Sequence, residues 1–218
     1  RIWNLHQQLA PARGPVPVMT IHMTNTHILP YMGFNWSNLD LEWKYGPEPV
    51  QTKFSPDLLR AESIGYQTGN VPQALADVRN CENEQQCAFA HRSRFGVLMT
   101  HEIKAYMSHA WDLYRIVLDF GYAREGCETF NYWQENYPLA ASDEKLKSLL
   151  LKKDGKLLVL LCTWNEDDAN VKLTPDADAL GLTVRKATDA ETGKPLTVKN
   201  GVITVPMVGY GVRIVEMQ

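Results

Sequence analysis

Apolar and polar positions divide the chain into two halves with different periods. In residues 1–125, short apolar runs alternate with segments whose apolar side chains recur at helical spacing. Two of these runs, 16–23 and 95–100, have the length of strands and predict buried strands. From residue 126 onward, strand-sized apolar runs between turn signals replace the helical spacing. The order of elements predicts an α/β first half with parallel strands, followed by an all-β second half.

Helical spacing predicts a helix that starts after Ser55 and helices in four further segments: 2–9, 72–78, 84–92 and 109–120. Ser55 has the side chain of an N-cap, and Pro56 after it suits the first helical turn. Ser108 caps the last of these helices, and Gly121 ends it. The stretch from residue 24 to Phe54 lacks helical periodicity and predicts a long loop.

Six strands are predicted in the second half: 129–133, 156–164, 169–173, 183–187, 201–205 and 211–217. Asn200-Gly201 lies between apolar runs, where Asn-Gly is a strong sign of a hairpin. Short strands with regular turns are typical of an antiparallel sandwich. We therefore expect residues 126–218 to form an antiparallel β-sandwich accessory domain.

Two parallel strands are too few for a stable sheet, because parallel sheets need more strands and cover on both faces. We therefore expect residues 1–125 to form the C-terminal part of a (β/α)8 catalytic barrel. The other strands would lie on an upstream segment or on another chain, so the expected partner is the missing N-terminal portion of the same enzyme. The chain also begins at Arg1 directly in a helix-like segment, which predicts a natural N-terminus elsewhere.

Composition and charge argue against several classes of function. A net charge of -3 over 218 residues gives no electrostatic reason to expect nucleic acid or an anionic membrane as a partner. No apolar run reaches the roughly 18 residues of a membrane span. The sequence also contains no strong metal or cofactor motif, so neither is expected.

The cysteines bear on the cellular compartment. Cys81 and Cys87 are too far apart for a CxxC motif, but their spacing fits a small disulfide loop. The spacing alone leaves both a bridge and two free thiols open. A bridge would fit a secreted or periplasmic protein. Cys162 lies in the apolar run LLVLLCTW, which predicts a buried thiol.

The long loop concentrates aromatic and acidic side chains. Tyr31, Trp36 and Trp43 offer flat rings for stacking on sugar faces, and Asp40 and Glu42 offer carboxylates to sugar hydroxyl groups. The aromatic content argues against disorder. Two interpretations remain: the loop binds a polyhydroxylated ligand, or its own aromatics fold it over the core.

Several segments together resemble the C-terminal part of glycoside hydrolase family 123-like proteins, namely HMTNTHILPYMGFNWSNLDLEWKYG, FSPDLLRAESIGYQTGNVP and HEI. The tail from LLVLLCTW onward is similar to the β-sandwich that follows the barrel in many glycosidases. The resemblance implies an enzyme that acts on N-acetylated or other complex glycans, with a large upstream part. It also implies an adjacent Asp-Glu pair, in which Glu is the acid/base and Asp orients the acetamido group of the substrate.

The only adjacent Asp-Glu pair in this chain is Asp143-Glu144, which has the pattern of a turn or a helix start. The family's pair is therefore expected upstream or is replaced. Asp40 and Glu42 are the candidate catalytic residues that this chain offers. Two residues apart in an extended segment, they share a face with carboxylates roughly 5–7 Å apart, near the separations of paired glycosidase acids. The alternative is a half-exposed strand with a solvated acidic face.

Eight residues are predicted to bind substrate: His22, Asn25, His27, Tyr31, Trp36, Trp43, His101 and Glu102. The first three follow the strand at 16–23, and their spacing matches no strong metal signature. His101 and Glu102 follow the predicted strand at 95–100. Alternation along a strand would direct one of them to the barrel axis and the other to the helices.

These observations predict a glycoside hydrolase that acts on complex glycans by paired-carboxylate or substrate-assisted acid/base catalysis. Two alternatives remain open. One is a non-catalytic carbohydrate-binding or structural protein on a degenerate glycosidase scaffold. The other is a metal-dependent enzyme that uses His22, His27 and Glu42.

Overall fold

Four parallel strands form the sheet of the first half. The computed structural model describes residues 20–22, 34–36, 41, 45–63 and 71–218. The strands are β1 (Thr20–His22), β2 (Phe34–Trp36), β3 (Val71–Leu75) and β4 (Lys104–Tyr106). They pair in the order β1-β2-β3-β4, and every pairing is parallel. The predicted strand at 16–23 therefore contains β1, and the α/β character of this half is confirmed.

Three predictions in this region are wrong. The stretch from residue 24 to Phe54 is not a single loop, because β2, a helical residue at Leu41 and a 3-10 turn at Val50–Thr52 lie within it. Leu41 therefore lacks the extended conformation that was expected for the segment with Asp40 and Glu42. The segment 72–78, with its helical bias, forms most of β3. Its local preference is overridden because β3 pairs with strands on both sides.

Three helices accompany the parallel sheet: α1 (Pro56–Ser63), α2 (Glu84–Thr100) and α3 (Trp111–Phe120). Helix α1 begins where predicted, and the Leu58 N–H donates to Ser55 Oγ at 3.2 Å. Helix α3 follows a 3-10 turn at Ser108–Ala110 and ends at Gly121, whose φ of 124° suits glycine. None of the described helices is long and apolar enough to cross a membrane.

The predicted strand at 95–100 is wrong, because these residues are the second half of α2. Phe95, Val97, Leu98 and Met99 are each at most 1% exposed. A helix buried on all sides carries apolar residues in every direction and so loses the helical period that a surface helix shows. The run FGVLMT therefore looks like a buried strand although it is helical.

The second half is all-β except for a short helix, α4 (Ala177–Leu180). Its strands are β5 (Glu128–Asn131), β6 (Leu139–Ala141), β7 (Leu146–Lys153), β8 (Lys156–Thr163), β9 (Ala169–Pro175), β10 (Ala187–Asp189), β11 (Thr197–Lys199), β12 (Val202–Met207) and β13 (Val212–Met217). They form a five-stranded sheet, β10-β13-β8-β7-β5, and a four-stranded sheet, β11-β12-β9-β6, in which all pairings are antiparallel.

Most predicted strands of this half are present, with shifted ends. The predicted strand 183–187 is wrong, since only Ala187 belongs to β10, and β6, β7 and β11 were not predicted. The hairpin at Asn200-Gly201 is confirmed: both residues have positive φ, 52° and 75°, and they join β11 to β12. Such angles at both central positions are those of the turn that two-residue hairpins favour.

Strand β8 separates two hydrophobic cores. Leu158, Leu160 and Cys162 lie in a first core with the apolar side of α2. Leu157 and Val159 face the opposite way, into a second core between the two antiparallel sheets. A strand buried on both faces has a continuous apolar sequence, which explains the run LLVLLC. The first core crosses residue 125, so the two halves of the chain pack as one body there.

Candidate functional site

The carboxyl ends of β1 to β4 meet at one edge of the parallel sheet, called here the C-terminal edge. His22 ends β1 and Trp36 ends β2, and the pairing register places these two residues side by side. In α/β folds the loops that leave this edge carry the binding residues. The structure thus brings two of the predicted site residues to the same place. Six others lie outside the described residues and stay predictions: Asn25, His27, Tyr31, Asp40, Glu42 and Trp43.

Arg94 of α2 joins two loops at this edge. We call residues 37–49, which follow β2, the β2 loop, although Leu41 within them is helical, and we call residues 76–83, which follow β3, the β3 loop. Arg94 Nη1 donates to Leu41 O at 2.8 Å and to Asp77 O at 3.0 Å, and Arg94 Nη2 donates to Gly46 O. The Arg94 side chain is 1% exposed. The described part of the β2 loop is therefore fixed beside the end of β3.

His91, one turn before Arg94, holds the β3 loop. Its Nδ1–H donates to Cys87 O at 2.7 Å, and its Nε2 accepts from the Val78 N–H at 3.0 Å. Both ring nitrogens are thus used in the neutral form. Burial lowers the pKa of His91 below its ordinary value, which agrees with this tautomer. The Asp77 carboxylate lies 3.7 Å from His91 Nε2.

A disulfide joins Cys81 to Cys87 across the start of α2, so the bridge is the one of the two open alternatives that the structure shows. The start of the helix is also capped: Asn83 Oδ1 accepts from the Gln86 N–H at 2.8 Å. These contacts fix the β3 loop close to the C-terminal edge. Cys162 is a buried free thiol, as predicted.

His101 and Glu102 lie at the other end of the sheet. They follow α2 and precede β4, so they are near the amino ends of the strands. The reasoning that placed them at a strand end is therefore wrong, because the segment before them is helical. His101 is fully buried; its Nδ1–H donates to Val97 O at 2.7 Å, and its Nε2 accepts from the Tyr132 hydroxyl at 2.9 Å. Burial lowers the pKa of His101 to about 4.

The surroundings of His101 join the two halves of the chain. The Trp133 ring stacks on His101 with a centroid separation of 5.9 Å, and the Arg60 guanidinium lies over the same ring at 5.8 Å. Glu102 accepts from the Tyr122 hydroxyl at 3.0 Å and from the side-chain amide of Asn131, in β5, at 2.7 Å. These aromatic and acidic side chains are thus already engaged in contacts with other residues of the protein. The geometry supports a bracing role at the junction and not a sugar platform.

The adjacent pair Asp143-Glu144 lies in the turn between β6 and β7, as its pattern indicates. Asp143 Oδ1 accepts from the Lys145 N–H at 2.9 Å, and Asp143 Oδ2 accepts from the Asn165 side chain. Both carboxylate oxygens of Asp143 therefore stabilise the turn. Asp176 is likewise structural, since it caps α4 by accepting from two backbone N–H groups.

Arg94, Asp77 and His91 were not recognised from the sequence as residues that hold these loops. A signal was present: His91 and Arg94 lie three residues apart, on one face of a helix whose later residues are apolar. Buried polar side chains in such a segment require partners, but the sequence does not show which carbonyls supply them. Among the described residues, no group of three or more His, Cys, Asp and Glu side chains is arranged to hold a metal ion.

The fold of this chain is similar to that of several solved structures. A GH27 β-L-arabinopyranosidase from Geobacillus stearothermophilus aligns with a TM-score of 0.58 at 11% identity, over 100% of this chain and 53% of that chain. An α-amylase from Geobacillus thermoleovorans, complexed with acarbose, gives 0.58 at 10% identity, over 100% and 56%. An α-amylase from Anoxybacillus gives 0.57 at 9% identity, also over 100% and 56%. This chain thus spans about half the length of these structures.

No curated protein sequence matches this chain. Residues 109–192 match the family model described as "Glycoside hydrolase 123, C-terminal domain". This segment runs from the 3-10 turn before α3 to the turn after β10. The match confirms the resemblance inferred from the sequence: the chain is similar to the C-terminal part of a glycoside hydrolase family 123-like protein.

Proposed function

We propose that this chain is the C-terminal portion of a glycoside hydrolase that cleaves complex glycans, with N-acetylhexosamine-containing glycans as the substrate class. The observation that carries the proposal is the position of the β2 loop. Arg94 ties Leu41 and Gly46 to the end of β3, so the residues on either side of Glu42 and Trp43 lie at the edge where α/β enzymes bind substrate. The family match over residues 109–192 supports the same class of enzyme.

The proposal includes a (β/α)8 barrel to which residues 1–125 contribute the last strands. Four parallel strands in sequential order support it, and further strands of the same enzyme would complete the barrel. Closure of the barrel by a further strand beside β4 would change the contacts of one residue on that strand, Ala105. The Tyr114 hydroxyl now bonds both the N–H and the C=O of Ala105, each at 3.1 Å, and a strand paired there would replace these two contacts.

In the proposed cleft, Asp40 and Glu42 supply the acid/base chemistry, either as paired carboxylates or with the acetamido group of the substrate as nucleophile. Trp36 and Trp43 stack on sugar rings, since flat apolar rings bury sugar faces well. The remaining substrate-binding residues, which hydrogen-bond sugar hydroxyl groups, are His22, Asn25, His27 and Tyr31. The Cys81–Cys87 disulfide supports a secreted or periplasmic location.

A non-catalytic glycan-binding protein is the second candidate. It is favoured by the position of the adjacent Asp143-Glu144 pair in a turn of the sandwich, where Asp143 is engaged by backbone and side-chain donors. In this case the β2 loop still binds glycan, but no carboxylate in this chain takes part in hydrolysis.

Turnover of aryl N-acetylglucosaminides and N-acetylgalactosaminides by the intact protein tests the proposal. If Glu42 is the acid/base, Glu42→Gln lowers kcat by roughly 10²–10⁴ and leaves the melting temperature unchanged. Glu144→Gln is the matched control and retains full activity, because Glu144 is an exposed residue of the turn between β6 and β7.

Two results would contradict the proposal, the first against enzymatic activity and the second against the assigned catalytic residues. Wild-type protein that binds these sugars without turnover would establish the non-catalytic candidate. Turnover that Glu42→Gln and Asp40→Asn both leave unchanged would remove these carboxylates from the mechanism.

A further inference from the structure

We propose that Arg94 is a positioning residue of the glycan site: its guanidinium sets the β2 loop against the β3 loop. The inference rests on the proposed function, because it assigns the β2 loop to that site. Arg94 itself is buried within α2 and touches no open surface, being 1% exposed. It can therefore influence a ligand only through the loops that it holds.

The contacts of Arg94 form a bridge between two loops. Two of the acceptors, Leu41 O and Gly46 O, belong to the β2 loop. Two others, Ala76 O at 3.5 Å and Asp77 O at 3.0 Å, belong to the β3 loop. All four are backbone carbonyls, so the guanidinium fixes the main chain and not merely one side chain. Displacing it would release both loops at once.

The shape of the guanidinium explains why arginine is required here. Its donors form a rigid planar fork, whereas the lysine ammonium is a point charge on a flexible stem. A lysine at this position could reach one or two of the carbonyls but could not span both loops. Buried carbonyls left without donors cost about 1–3 kcal/mol each, so the loops would move to find other partners.

The charge of Arg94 is retained at the pH of enzyme assays. Burial lowers its pKa to about 10, and the nearby Asp77 opposes this shift. The guanidinium is therefore protonated near neutral pH. Charged donors make stronger hydrogen bonds to carbonyls than neutral donors do, which suits a group that must hold loops at a fixed separation.

The two anchored residues of the β2 loop define which part of it is positioned. Leu41 and Gly46 lie on either side of Glu42 and Trp43, which the proposed function places in the glycan cleft. Leu41 is 1% exposed and packs in the first core, so one end of this short segment has a second attachment. Gly46 depends on Arg94 more strongly, since it has no side chain to pack.

Hydrogen exchange and steady-state kinetics on Arg94→Lys of the intact protein test this role. We expect amide exchange in peptides covering 41–46 and 76–80 to become at least about tenfold faster, because each lost hydrogen bond contributes about 1 kcal/mol or more. We also expect KM for an aryl N-acetylhexosaminide to rise at least about tenfold. A variant that is merely less stable, assayed well below its melting temperature, would keep the KM of the wild type.

Arg92→Lys is the matched control. Arg92 lies on the same helix but forms ion pairs with Glu191 at 2.5 Å and Asp112 at 3.7 Å, away from both loops. Its substitution should leave exchange at 41–46 and KM unchanged.

Unchanged exchange at 41–46 and 76–80 in Arg94→Lys would overturn the inference whatever the kinetics. Faster exchange in both loops with unchanged KM would overturn the positioning role, because the loops would then not form the glycan site. If the wild-type protein neither binds nor cleaves these glycosides, the proposed function fails, and the glycan role of Arg94 fails with it. The exchange data then still report whether the guanidinium fixes the two loops.

Discussion

Replacing Gly96 with alanine is predicted to destabilise the junction between α2 and the five-stranded sheet. A Cβ at this position would lie 2.8 Å from Val212 Cγ2, 2.9 Å from Val212 Cβ and 3.2 Å from Cys162 Sγ. Real Cβ atoms do not approach carbon this closely, so helix and sheet must separate. Overpacking costs about 1–3 kcal/mol, and two contacts shorter than 3.0 Å place this substitution in the upper part of that range, at about 2–3 kcal/mol. Alanine recovers up to about 1 kcal/mol through its better helix propensity, which leaves a net loss of about 1–2 kcal/mol.

A double-mutant cycle isolates the steric cause. Val212→Ala alone creates a small cavity and should cost about 2 kcal/mol. In the double variant the alanine at position 96 fills part of that cavity, so the combined loss should be smaller than the sum by at least about 1 kcal/mol. The control is Val205→Ala combined with Gly96→Ala. Val205 belongs to the second core, between the two antiparallel sheets, so these two losses should add.

Urea denaturation of the intact chain, monitored by tryptophan fluorescence, provides the free energies, with the slope m checked for constancy between variants. A neutral or stabilising Gly96→Ala would contradict the close approach of α2 to the sheet. Strict additivity with Val212→Ala would contradict it as well, because the two sites would then not be in contact.

Three further predictions concern pH, redox state and the sandwich. Since the pKa of His101 falls to about 4 on folding, the folded protein binds fewer protons than the unfolded chain between pH 6.5 and 4. Stability should therefore drop by about 3 kcal/mol as the pH falls through this window, and His101→Gln should flatten the curve measured by urea titration. Reducing the Cys81–Cys87 disulfide should lower the free energy of unfolding by about 2 kcal/mol. Reductant should have no effect on a variant in which both cysteines are replaced by serine. Asp176→Ala should cost about 1 kcal/mol through loss of the α4 cap and leave glycan turnover intact; a loss of turnover without unfolding would place the sandwich in the active site.

The all-β half could be predicted well because its turns carry strong local signals. Asp154-Gly155 and Asn200-Gly201 both adopt positive φ at the two central positions of hairpins. The runs that follow these two turns became β8 and β12 with nearly the predicted ends, whereas the runs before them were not predicted as strands. Burial on both faces of β8 also left a clear sequence signal, the uninterrupted run LLVLLC.

Strand β7 was missed because its sequence fits two structures. In LKSLLLKK, Leu146, Leu149 and Leu150 recur at helical spacing after a helix-start pattern. The structure distributes them over two cores instead: Leu149 faces α2, and Leu146 and Leu150 face the second sheet. The same ambiguity, in reverse, caused residues 95–100 of α2 to be taken for a strand. Segments buried on all sides lose the periodicity that distinguishes the two.

The position of His22 at the end of a strand was predicted, whereas Trp36 was expected in a loop and instead ends the neighbouring strand β2. His101 and Glu102 were misplaced because the error in α2 moved them to the wrong end of the sheet. Arg94 could not be found by local reasoning, because its partners lie 17 to 53 residues away in the chain. Tertiary packing decides which carbonyl groups accept hydrogen bonds from a buried arginine.

The central claim is that glycan binds to the loops at the C-terminal edge of the parallel sheet. Hydrogen exchange of the intact protein, with and without a saturating N-acetylglucosamine or N-acetylgalactosamine oligosaccharide, tests it most directly. The account predicts slower exchange in peptides covering residues 23–46 and 76–80, with no change in residues 126–218. Protection confined to the sandwich, or none with any of these sugars, would contradict it.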